Sequence, residues 1–390
     1  MFSHFKTIVV GRGMMGAAAA KYLARSSDGV AVIGPDEPED RVSHQGVFGS
    51  HYDEGRITRT IDRDHDWAML ANRSIARYAG IAEESDIAFF TEAGCLAVAP
   101  EATGQTHDWA RIAREFDVAT EEFVADGLEA RFPFFAFPDG CSGVFEMKKA
   151  GHISPRRLVK AQSFLAEQSG ATVIRDYAVS VREENHKVLV TTSRGERFSA
   201  DRVLVTAGAF SIAKELLPRK LDMKVYGRTV VLFEVSDAQA EAFASMPSLI
   251  LDAPGIDIYL LPPIRYPDGK LYLKIGGDPN DLEMQSDLDL RRWFHGDGRQ
   301  SARDYLQSVV EQIVPRLKPA SIRSMPCALS HTPSKYPMIG FASSRIGVTV
   351  GCGGASAKSS DEIGRLGAEL IEEGRIITAG YRNDFTPSFK

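Results

Sequence analysis

Three glycines at positions 11, 13 and 16, in the run VVGRGMMG, are spaced to cradle a phosphate. The G-x-G-x-x-G pattern follows a strand-like stretch and opens a helix-like one. Gly11 permits the tight turn, Gly13 lets the backbone approach a pyrophosphate, and Gly16 lets helix and strand pack closely. The amides at the helix N-terminus then face the anion. An acidic residue about 20 positions on is expected to hold a ribose. Gly34 ends the second strand and Asp36 lies just beyond it, so Asp36 is the candidate. Cys327, in SMPCALSHTPSKYPMIG, stands alone and is either a small core residue or a reactive thiol. Lys274, in KLYLKIGG, follows apolar residues in a β run, where a lysine is out of place unless it points off a sheet edge.

Around these residues the chain reads as alternating elements. TIVVG, the glycine turn with its helix, and VAVIG form a βαβ unit, and a helical segment runs from about Trp67 to Glu84. GCLAVAP is β-like, and a helix follows GHISP. TVIRDYAVSVREE reads as one strand, KVLVTTSRG as its hairpin partner, and DRVLVTAGAF as a strand ending at Gly208. Further β runs occupy GRTVVLFEV, IYLLPPI and KLYLKIGG. The last segment is a strand, a glycine loop and an amphipathic helix with Ile363, Leu366 and Leu370 on one face and Gly374 as its C-cap.

At 390 residues, 44% hydrophobic and 25% charged, with a net charge of −6, the chain is an ordinary globular protein with no sign of a nucleic-acid or polybasic membrane partner. No run reaches the roughly 18 apolar residues of a spanning helix, and MFSHFKTIVVG lacks a leader pattern. A cytoplasmic monomer or small homo-oligomer is expected. Four cysteines without paired spacing and nine histidines without a ligand cluster predict no metal site and no disulfide framework.

Five stretches, taken in order and spacing, resemble the flavin-dependent amine oxidases typified by monomeric sarcosine oxidase: VVGRGMMG, GSHYDEGRITR, VLVTAGAF, KLYLKIGG, and MPCALSHTPSKYPMIG with GCGGASAKSS. The resemblance implies an α/β fold, with a discontinuous FAD-binding Rossmann-like domain of GR2 type (1–85, 145–220 and 321–390) and a β-rich α+β substrate domain (86–144 and 221–320). It implies FAD as cofactor, joined by a thioether from Cys327 to the flavin 8α-methyl. The cofactor contacts it implies are Gly11, Gly13, Met14, Met15, Gly16, Asp36, Ser50, His51, Arg56, Val179, Gly208, Cys327, Gly354, Ala355 and Lys358.

The implied reaction moves a hydride equivalent from the carbon beside a substrate nitrogen to the flavin, which oxygen then reoxidises. By the same resemblance Lys274 favours oxygen reduction, Arg59 and Lys358 bind a substrate carboxylate, and Tyr259 is the site tyrosine. The amides of GCGGASAK stabilise charge on the flavin. Two departures change the pocket: Asp278 stands where the family has a histidine, and the final loop carries the small residues Cys352, Ala355, Ser356 and Ala357. The expected substrate is a small secondary amine or an N-substituted or cyclic amino acid, and the departures let a bulkier secondary amine or a cyclic imino acid fit as well as sarcosine. The rival readings are a flavin dehydrogenase, a fructosyl amino acid oxidase, a nicotinamide-dependent dehydrogenase and a non-catalytic nucleotide-binding protein.

Overall fold

The glycine turn sits at the centre of a parallel ladder. A computed structural model describes residues 3–390. The strand Ser3–Val10 is flanked by Val30–Ile33 and Arg197–Val205, and Ile346–Val350 continues the ladder, so that Val10 pairs with both Ile33 and Val205, and Val205 with Val348. These strands are buried along the ladder and read as near-continuous apolar runs, as strands covered on both faces must. The helices Met14–Ser26, Pro155–Gln168 and Ser360–Glu373 pack against one another. Gly364 lies so close to the Met15 carbonyl, 2.4 Å from where a Cβ would stand, that only glycine lets the last helix meet the first.

A second sheet of nine strands is mostly antiparallel. Ser321–His331 pairs along its whole length with Lys224–Val235, which sets Cys327 opposite Arg228. Leu271–Gly276 lies on the other side of Lys224–Val235, and Ile256–Arg265 lies beyond it. Because side chains alternate across a strand, one face carries Val231, Phe233, Leu273 and Ile275 into a core capped by the helix Gln300–Ile313. The opposite face carries Cys327, Arg228, Leu232, Lys274, Tyr259 and Leu261. It meets a small three-stranded sheet of Arg56–Thr58, Gly151–Ile153 and Phe90–Thr91, where Ile57 packs with Leu232 and Leu261.

Several elements differ from the sequence reading. The helix expected over 67–84 is two, His65–Ile75 and Tyr78–Ser85. The break lets Leu70 face Leu366 of the last helix while Tyr78 and Ile81 face Leu158. TVIRDYAVSVREE is also two strands, parted where the Asp176 carboxylate binds the amides of Tyr177 and Arg194. Near the expected joints of the chain, Cys141–Glu146 and Ser321–His331 run in the second sheet, and Phe90–Thr91 pairs with Gly151–Ile153. Among the described residues no helix is long and apolar enough to cross a membrane.

Candidate active site

Three neighbouring parallel strands end together at Val10, Val205 and Val350, and the segments that follow them meet. Ligands of open α/β sheets bind at such carboxyl ends. Gly11 has φ +109°, and a Cβ there would stand 2.6 Å from the Thr206 carbonyl. At Gly16 one would strike the Gly11 carbonyl at 1.7 Å. Met15 fills the space beside Gly351, and the Gly353 amide donates to the Ser330 carbonyl at 2.8 Å, which ties the final loop to the cysteine strand. Gly13, by contrast, faces open space, its nearest neighbour being His51 Nδ1 at 3.9 Å from an added Cβ, and Gly208 and Gly354 have nothing within 4 Å. Ala355 packs beside Met15 and Cys352.

His51 is buried, and its Nδ1 has no partner among the described residues. Burial, reinforced by the Arg12, Arg156 and Arg56 guanidinium groups, pushes it down to about 3, so the ring is neutral. An orphaned ring nitrogen beside a bare glycine turn, ringed by three arginines, fits a dinucleotide's phosphates.

Asp36 has ionic partners of its own. It is 61% exposed and is paired with Arg12 and Arg175, and Arg12 lies over Gly34, where a Cβ would fall 2.6 Å from the Arg12 amide nitrogen. Ser50 is exposed, although its carbonyl accepts from Arg56 Nη2 at 3.1 Å. Val179 sits exposed at a bulge in Ala178–Glu184, and no described contact ties it to the glycine turn.

Of the four cysteines, Cys95, Cys141 and Cys352 are buried and only Cys327 is half-exposed. Its carbonyl is fixed by Trp293 Nε1 at 2.7 Å. Cys327 lies on the same sheet face as Lys274 and Tyr259. Lys274 is fully buried and donates to Asp53 Oδ2 and to the Gly55 carbonyl (2.8 Å), while its Nζ stands 5.8 Å from the centre of the Tyr259 ring. Burial drives the ammonium well down and Arg56 adds to the shift; the Asp53 carboxylate it touches works in the opposite direction. Asp53 also pairs with Arg56 and accepts from the Tyr266 hydroxyl at 2.9 Å. Burial raises the Tyr259 hydroxyl to about 12.

Asp278 follows the lysine strand. Its carboxylate takes the amides of Thr229 (3.0 Å) and Asn280 (3.2 Å) and the Arg299 guanidinium (2.5 Å), so it pins the loop there.

Arg59 and Lys358 do come together, through a residue the sequence reading passed over. Asp62 Oδ2 lies 3.0 Å from Lys358 Nζ and 3.8 Å from Arg59 Nη2. Against burial, which raises it, Lys358 and Arg59 hold the Asp62 carboxyl below its ordinary value; burial pushes Lys358 down. Asp53 and Asp62 were also missed, yet a signal was present. The run DEGRITRTID spaces Asp53, Arg56, Arg59 and Asp62 three residues apart, two arginines bracketed by two aspartates around a short strand.

Residues 6–370 match the DAO family, described as FAD dependent oxidoreductase. The chain belongs to that family. Among its relatives, monomeric sarcosine oxidase of Bacillus sp. (strain NS-129) is 25% identical over 387 residues, covering 96% of this chain and 95% of the relative. Among solved structures, NikD, an unusual amino acid oxidase essential for nikkomycin biosynthesis, aligns with a TM-score of 0.78 at 19% identity over 99% of this chain and 98% of its own. L-Proline dehydrogenase from P. horikoshii aligns with a TM-score of 0.75 at 18% identity over 96% and 95%. These two show a shared fold. This chain is therefore an FAD-dependent oxidoreductase of mixed α/β architecture.

Proposed function

We propose that this oxidoreductase acts on a secondary amine or an N-substituted or cyclic amino acid, oxidising the carbon beside nitrogen, with FAD linked through Cys327 and oxygen as acceptor. The observation that carries the reading is Arg59: a guanidinium only 15% exposed, whose Nε is buried without a partner and which has no hydrogen bond among the described residues. A buried cation with a vacant planar fork suits a carboxylate. The names of its relatives, sarcosine oxidase and N-methyl-L-tryptophan oxidase, point to the same class of substrate.

Gly11, Gly13, Met14, Met15, Gly16 and Gly208 would hold the dinucleotide, and Gly354 and Ala355 would face its ring. When bound, FAD supplies the hydride acceptor. Lys274 and Arg56 place positive charge on the face that carries Cys327, Tyr259 narrows the same face, and Arg59 orients the substrate by its carboxylate. The half-exposed thiol of Cys327 supports the covalent linkage. A peroxide assay of the purified yellow enzyme across N-methyl, cyclic and glycated amino acids tests the substrate class, and no turnover in any group would overturn it. Acid precipitation that leaves the flavin in the supernatant would overturn the linkage.

One observation favours a second reading, a flavin dehydrogenase of the same substrates. The Asp53 carboxylate neutralises Lys274, the cation that would stabilise superoxide. Lys274→Met separates the two: as an oxidase, the enzyme should lose reoxidation by oxygen far more than anaerobic reduction by substrate, whereas equal effects favour the dehydrogenase.

A further inference from the structure

Three charges meet at one oxygen atom of the anchoring site. Asp62 Oδ2 receives Lys358 Nζ at 3.0 Å and stands 3.8 Å from Arg59 Nη2, while Asp62 Oδ1 accepts the amides of Arg63 at 2.8 Å and Asp64 at 3.4 Å. The carboxylate is thereby fully engaged and rigid, placed just ahead of the helix His65–Ile75. Lys358, only 1% exposed, has its remaining contact at the Trp67 carbonyl, 3.5 Å away. The nearby Glu146 does not serve Arg59. Its two oxygens take the amides of Thr60 and Ile61 at 2.9 to 3.0 Å.

The two cations are therefore in different states. Lys358 is committed to an internal partner, and Arg59 is not, its 3.8 Å contact being too long for a hydrogen bond. The Glu146 carboxylate also acts on both cations, so what is left over is not a net charge but the unmet hydrogen-bonding fork of Arg59. A single carboxylate fills it. A second anionic group on the substrate would be buried without a partner, which is costly.

Resting on the reading of Arg59 as the carboxylate anchor, we propose that Asp62 is a specificity-determining residue: by holding Lys358 it limits the site to substrates with one carboxylate near the reacting carbon. Removing its charge should free Lys358, which an incoming second carboxylate would then hold in its protonated form as a second anchor.

The test is calorimetric titration of the holoenzyme at pH 8 with acetate and with malonate, which differ by one carboxylate. The wild-type protein should bind acetate more tightly. Asp62→Asn keeps an oxygen for the Arg63 and Asp64 amides and should tighten malonate roughly tenfold relative to acetate, the size of one charge-assisted hydrogen bond. Asp62→Ser should do the same, which covers the case in which the first variant folds poorly. Adding Lys358→Met to either should erase the gain. An unchanged malonate-to-acetate ratio in the Asp62 variants, or a gain that survives without Lys358, would overturn the proposal. Acetate binding that is absent from the wild type, or intact in Arg59→Ala, would instead overturn the anchoring role of Arg59. Loss of acetate in Arg59→Ala with an unmoved ratio in the Asp62 variants would leave that role standing and remove only the one given to Asp62.

Discussion

Lys274 and Lys358 are both buried, and each touches an aspartate, but their surroundings are satisfied to different degrees. Around Lys274 the ring is closed. Asp53 collects the lysine, Arg56 and the Tyr266 hydroxyl, and the Gly55 carbonyl takes another lysine proton. Around Lys358 the ring is open, because Asp62 serves the lysine well and leaves Arg59 without a hydrogen bond. The closed cluster is built to hold its charges in place whatever is bound. The open one carries an unmet demand that only a ligand would fill. Buried charge alone thus does not mark a binding site, whereas buried charge lacking a counterpart does.

The sharpest way to break this contrast is Asp53→Ala. It leaves two cations together in a buried setting, and stability measured by denaturant titration should fall by about 3–5 kcal/mol. If it falls no further than on removing a surface charge, the closed cluster holds nothing together.

The strand between the clusters offers a second probe. His152, paired with Ile57, is buried with an orphaned Nδ1, and burial lowers it to about 4, helped by Arg157. It is neutral when folded, so its contribution is fully present above its ordinary value near 6.5 and is lost as pH falls from there through 4. That amounts to at most about 3 kcal/mol. His152→Met should flatten the dependence of unfolding free energy on pH across that window, and an unaltered slope would show that the site does not titrate.

Arg59→Ala should lower kcat/KM for carboxylate substrates about a hundredfold, as expected for a lost charged hydrogen bond. Stability should change by less than about 1 kcal/mol, since the Arg59 side chain makes no hydrogen bond among the described residues and only a long ion pair with Asp62. A stability loss as large as that of Asp53→Ala would erase the difference between the two clusters.

The smallest effect is kinetic. Asp53→Asn keeps one acceptor oxygen but removes the negative charge that masks Lys274, and stopped-flow reoxidation by oxygen should speed up about tenfold. No acceleration would mean that the lysine does not face the oxygen site.

How much of this was legible beforehand depended on distance along the chain. The turn at Gly11 and Gly16 was, because its geometry there is a local demand of the backbone that only glycine meets, and Gly13 followed from the spacing between them. The cap at Gly374, with φ +76°, was legible for the same reason. The placement of Cys327 opposite Arg228 was not, since it depends on a ladder between segments about a hundred residues apart. Asp36 was chosen by a spacing rule that counts residues and does not register its ion pair with Arg12, within the turn itself. Asp53 and Asp62 looked like charges of a solvated loop, and burial is what makes them matter. The tie of Asp278 to Arg299 was not legible, since it joins the loop after Lys274 to a residue twenty-one positions on.

Arg12 lying across Gly34 also narrows the routes by which this protein could change. The atoms that crowd position 34 include the amide nitrogen and Cα of residue 12, not only its side chain. Trimming the arginine would leave the obstruction in place. Any descendant that acquired an acid at the tip of the second strand would first have to rebuild the turn, so variation at that end of the cleft is channelled into residues 12 and 36.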